Sequence, residues 1–163
     1  MHTLPKTSHA HHERLMHQVD RMPAVGDLIG AAPIEDLRAS LDEMAMFLVD
    51  LLLPHMEAAE ATLYPEFERI LQNRHSMTPM AREHGEIRML IGRIESFRQR
   101  LAGAPLGTGD ALELRRTIFR LYALLKVHLA EEELYIAILD HNVEEARGDT
   151  LAAAMRHAGA MEL

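Results

Sequence analysis

The sequence contains no cysteine, which removes disulfides, zinc-thiolate sites, iron–sulfur clusters and thiol catalysis together. Any bound metal must therefore be held by nitrogen and oxygen donors. Aromatic residues make up only 4% of the chain, and Ala, Leu, Met, Glu and Arg dominate over valine and isoleucine, so strands find little support. Long apolar runs are absent too: the longest, 45–54, is interrupted by Asp50, and residues 1–10 lack the apolar segment of a signal peptide. These features predict a soluble, cytoplasmic protein with no membrane contact. Basic charge is also short, with 17 Lys and Arg against 25 Asp and Glu, and a net charge of −8 opposes a phosphate backbone. Nucleic acid is not an expected partner, and nothing in the sequence identifies a protein partner.

Histidine, by contrast, is abundant: 11 among 163 residues, more than structure alone needs. The length and the 48% hydrophobic content fit one domain spanning 1–163. Punctuation falls at Gly30 to Pro33, Gln72 to Pro79, Gly103 to Gly109 and Gly148-Asp149. It predicts helices over about 8–29, 33–72, 78–102 and 110–140, with a short fifth over about 142–158. Pro33 suits a first helical position, Thr78 an N-cap before Pro79, and Asp110 with Glu113 a capping box. Pro23, Pro54 and Pro65 fall inside helical runs and should bend or end them. Short connections between long amphipathic helices imply antiparallel neighbours. The expected fold is all-α, an up-down four-helix bundle with its core in about 8–140 and a short additional C-terminal helix.

The apolar stripes carry polar interruptions. In the last main helix Leu114, Ile118, Leu121, Leu125, His128, Glu132, Tyr135 and Leu139 follow one another at three and four residues, so an imidazole and a carboxylate one turn apart enter the core. A lone buried carboxylate is costly, and the usual remedies are a positive partner or a metal. His84 falls on the stripe of Met80, Ile87, Ile91 and Ile94, with Arg98 breaking the run before Leu101. His55 ends the stripe of Leu37, Leu41, Met44, Leu48 and Leu51, and His12 lies with Leu15, Val19 and Met22. His12 and His55 are separated by 43 residues and His84 and His128 by 44, which reads as two similar helical hairpins closing on a shared pocket.

One histidine on an apolar stripe is more often a hydrogen-bonded core residue than a ligand. Four in matching register, with a glutamate one turn after the last, favour a metal. The alternative for Glu132 is a buried ion pair with an arginine such as Arg88. His11 and His17 compete with His12 for the first position. Tyr64 and Tyr135 are either outer hydrogen-bond donors or core rings with a polar tip, and Met44 and Met80 either core filler or the lining of a small-ligand channel.

With these residues in view, the chain resembles the hemerythrin-like family, also called the HHE cation-binding domain, whose signature reads H, HxxxE, H, HxxxE. His12, His55, His84 and the run from His128 to Glu132 fill five of its six positions, over roughly residues 8 to 140. The resemblance implies a left-handed four-helix bundle holding two iron ions with an oxo or hydroxo bridge. It further implies binding, sensing or reduction of dioxygen, nitric oxide or peroxide. An enzyme of this kind would be a peroxide- or nitric-oxide-reactive di-iron oxidoreductase. The expected metal ligands are His12, His55, Glu60, His84, His128 and Glu132. Glu60 is the exceptional member, because the family's first HxxxE places glutamate where this chain has Ala59. Glu60 comes one residue later, about 100° further round an α-helix. Either a π-type bulge near Pro54 turns it inward, or the first carboxylate bridge is missing and a single iron, or a pair completed by water, another carboxylate or a tyrosine, takes its place. Position 88 is Arg88 where oxygen-carrying members place another histidine, which leaves open coordination positions and favours reactivity over storage. Two further readings stand beside this one: a metal-responsive sensor or interaction module, and a structural bundle that takes zinc adventitiously.

Overall fold

The computed structural model describes the chain from Leu4 to Gly159, with side chains described from Ala10 to Leu139 and at His141. Every element among these residues is helical. Helix α1 spans Leu4–Val19 and α2 Met22–Leu28, and the break between them falls just before Pro23, as its missing N–H requires. Gly30 then reverses the chain with φ at 80°, a left-handed backbone that favours glycine.

From Ile34 to Ile70 the chain is helical without interruption, but it changes pitch twice. Helix α3, Ile34–Met46, passes into a first π segment, Phe47–Leu52, then α4, Leu53–Ala58, a second π segment, Ala59–Leu63, and α5, Tyr64–Ile70. Leu53 N–H donates to Leu48 O, and Tyr64 N–H to Ala59 O, each five residues back. In both places a proline follows at once, Pro54 and Pro65 as second residues of α4 and α5. A proline ring clashes with the carbonyl four residues back, and the wider turn relieves that clash. The two prolines therefore widen the helix where the sequence suggested that they bend or end it.

Helix α6 covers Thr78–Gly103 and α7 Thr108–Gly159. Thr78 is the first helical residue rather than the cap, and no side chain caps that end. Asp110 lies inside the first turn of α7 and pairs with Arg100 instead of closing a capping box. The segment expected at 142–158 is helical, but it continues α7 without a break, because one glycine costs a helix only about 1 kcal/mol. Among the described residues no helix is long and apolar enough to cross a membrane.

Helix α7 packs against α1, α2 and α6, and α3 packs against α2 and α6. The interior is divided. One large apolar cluster runs from Leu15 and Met22 through Leu41, Leu52, Ile87 and Ile94 to Leu114, Leu125 and Leu129. A smaller one joins Ala59, Tyr64, Phe67, Met77 and Met80, with Tyr135 and Leu139 against it. On α6, His84 falls between Met80 of the second and Ile87 of the first. On α7, His128 and Glu132 fall between Leu125 and Tyr135. The polar residues form the seam between two apolar bodies.

Candidate metal centre

Four helices contribute to this seam: α1 gives His12, α4 His55, α6 His84, and α7 both His128 and Glu132. His84, His128 and Glu132 are fully buried, His12 is 6% exposed and the His55 side chain 9%. Their inner atoms converge. His55 Nε2 lies 2.7 Å from Glu132 Oε2 and His12 Nε2 3.2 Å from the same oxygen. His84 Nε2 lies 2.9 Å from His128 Nε2, and the Tyr64 hydroxyl 3.0 Å from His84 Nε2. Two triples result, His12 with His55 and Glu132, and His84 with His128 and Glu132, the donor atoms of each lying within 4.8 Å of one another. Glu132 belongs to both. Its Oε1 is buried with no hydrogen-bond partner.

The outer ring nitrogens decide what the inner ones can do. His84 Nδ1 donates to Glu60 Oε1 at 2.7 Å, and His128 Nδ1 donates to Glu83 Oε2 at 2.8 Å. A carboxylate only accepts, so both Nδ1 atoms carry the proton and a neutral ring has a bare lone pair at Nε2. Two such lone pairs face each other at 2.9 Å. That contact is repulsive unless a proton or a cation lies between them. With the orphaned Glu132 oxygen beside it, the seam has the donor arrangement of a cation site, and its nitrogen and oxygen set suits iron or zinc.

The electrostatics agree with this division of roles. Burial pushes the His84 imidazole below its usual value, Glu60 only partly opposing it, so the ring favours its neutral, ligating form. Burial pushes the Glu132 carboxyl up, but the bonds from His12 and His55 and the charges of His55 and His128 outweigh it and hold the group well below the usual carboxylate range. Glu60 is lowered chiefly by a two-pronged bond from Arg88, both contacts at 2.9 Å. Tyr64 is pushed up, first by burial and then by the Glu132 charge.

The residues expected from sequence are brought together with one difference. His12, His55, His84, His128 and Glu132 meet as above. Glu60 lies in the second π segment with its side chain 34% exposed, and its carboxylate stops at the outer nitrogen of His84 and enters neither triple. Arg88 pairs with Glu60, so it is not the buried partner of Glu132. His17 is exposed. His11 is half-buried beside His55, ring centroids 5.1 Å apart. Two features were not read from the sequence, the bond of Glu83 to His128 and the approach of Glu133 Oε2 to His12 Nδ1 at 3.0 Å, whereas the Tyr64 hydroxyl reaches His84 as one of its two readings expected. Glu83 precedes His84 but serves the histidine of the neighbouring helix, so no spacing along the chain marks it.

A cleft of about 440 Å³ opens beside Tyr64, with Glu60, Met77, Thr78 and Arg82 in its walls. Another, of about 380 Å³, lies between α2 and α3 and shares no residue with the seam.

An all-helical bundle with a buried histidine and glutamate seam that could hold a cation is the class of protein these features define. The model of the hemerythrin HHE cation-binding domain matches residues 4–137, and the chain belongs to that family. No curated protein and no solved structure shows significant similarity to it.

Proposed function

We propose that this chain is a non-haem di-iron protein that binds a small ligand such as dioxygen, nitric oxide or peroxide and senses or reduces it, within an up-down four-helix bundle. The observation that carries this reading is the opposition of the His84 and His128 lone pairs beside the unpartnered Glu132 oxygen. His12 and His55 would hold one ion, His84 and His128 the other, and Glu132 would bridge them. Bound iron supplies one-electron chemistry and open coordination positions for the small ligand. The protein's share is to keep the site dry and to orient the donors. Leu125, Leu129 and Ile87 exclude water on one side, Met80 and Phe67 on the other, each of them 0 or 1% exposed. Glu60 and Glu83 fix the tautomers of His84 and His128.

Tyr64 brings to the seam an oxygen that Ala59 cannot. Its hydroxyl stands at the inner nitrogen of His84 while its ring lines the 440 Å³ cleft, so it joins the site to the one opening described beside it. A phenol there suits a site that turns a ligand over, with Tyr64 as hydrogen-bond donor to it. Iron content and visible absorption of protein purified without chelator test the proposal. About two iron ions per chain with a charge-transfer band are expected. No iron uptake and no such band after anaerobic reconstitution with Fe(II) overturn it.

A further inference from the structure

We infer that the two ion positions are unequal, with Glu60 and Glu83 acting as positioning residues that make the His84/His128 position the tighter, first-filled one. The inference rests on the reading of the seam as a two-ion site and adds the order in which it fills.

The outer contacts of the four histidines differ in kind. His84 and His128 are each held by an aligned bond from Nδ1–H to a carboxylate, 2.7 and 2.8 Å long. Glu60 is itself locked by both prongs of Arg88. These rings therefore present a lone pair of fixed direction and raised basicity before any ion arrives. The other half is held by a looser contact, on one ring only. His12 Nδ1 comes within 3.0 Å of Glu133 Oε2, but the angle is too poor for a hydrogen bond. Among the described residues no carboxylate meets the outer nitrogen of His55, whose neighbour is the ring of His11. Burial follows the same order, complete for His84 and His128 and less so for His12 and His55.

Removing an outer partner typically weakens metal affinity about 10–100-fold. The glutamate displaced from bridging by the Ala59 position thus keeps a role, one layer further out and in one half only.

The test is equilibrium titration of the metal-free full chain with Co(II), followed by its visible bands against a competing chelator. The wild type is expected to fill in two separated steps. Glu83→Gln and Glu60→Gln should each weaken the first step by about 10–100-fold and leave the second within about threefold. Glu83→Asp, which keeps the charge, should recover part of the loss. A merely structural role would shift the melting temperature of the metal-free variants and weaken both steps alike, and that result overturns the inference. So do two wild-type steps of equal affinity. A wild-type chain that takes up no Co(II) at all overturns the two-ion site as well.

Discussion

Replacing Glu132 by glutamine removes one charge and almost no volume at a fully buried position, which isolates what that charge does. In the metal-free chain its Oε2 accepts from both His12 and His55, at 3.2 and 2.7 Å. The two hydrogen bonds to a charged acceptor that the substitution weakens are worth about 1.5–3 kcal/mol each, so a loss of about 3–5 kcal/mol is expected. A chain of this size loses about 2–4 °C of melting temperature per kcal/mol, so Glu132→Gln should melt roughly 6–20 °C lower than wild type at pH 7 in the presence of chelator. The sign of the pH dependence is fixed by the depressed carboxyl. A group whose folded value lies below its unfolded value of 4.5 stabilises above pH 4.5 and loses that contribution as pH falls further. The gap between variant and wild type should therefore be full at neutral pH and close in acid. Calorimetry at several pH values reads the first arm, and metal analysis after iron loading reads the second. Both triples lose their shared donor, so iron should fall from about two to below one per chain. A variant that melts with wild type at neutral pH and binds the same iron would refute the placement of Glu132 at the centre of the site.

Other outcomes follow from single contacts. Burial holds His84 below its usual value of 6.5, so the folded chain binds fewer protons there than the unfolded one. Metal-free protein should lose stability as pH falls through about 6.5, a slope that melts of His84→Gln should show flattened. Tyr64→Phe removes only the hydroxyl at His84 and should change metal-free stability by about 1 kcal/mol in denaturant titrations, while altering the visible spectrum of the iron-loaded protein. A Cβ on Gly26 would lie 2.8 Å from Phe119 Cε2, so Gly26→Val should cost about 1–3 kcal/mol in the same assay. Ala59→Glu inserts a carboxyl among Tyr64, Phe67 and Met80 at a buried position, and should lower metal-free stability by about 1–3 kcal/mol. Unchanged midpoints would show that these sites relax without cost.

The helices and the five inward donors were legible because periodicity is a local property. An apolar stripe at three and four residues fixes a face, and His84, His128 and Glu132 could occupy no other. What was not legible depends on pitch and on neighbours. Glu60 lies one residue beyond the family position, inside the wider turn from Ala59 to Leu63. Its final partner, the outer nitrogen of His84, belongs to another helix. The same holds for Glu83, whose bond to His128 exists because α6 and α7 lie side by side. Continuity of α7 through Gly148 was missed because stop signals in sequence are weak against an extended run of good helix formers.

The two π segments also make this stretch an elastic spacer. A π turn holds one residue more than an α turn, so a residue removed between Ala59 and Leu63 lets the backbone close to ordinary pitch while both flanks keep their facing. Length changes that would scramble an α-helix should be absorbed here. Deleting Ala59 would, in addition, leave Glu60 four residues after His55, restoring the H-x-x-x-E interval that Ala59 interrupts there.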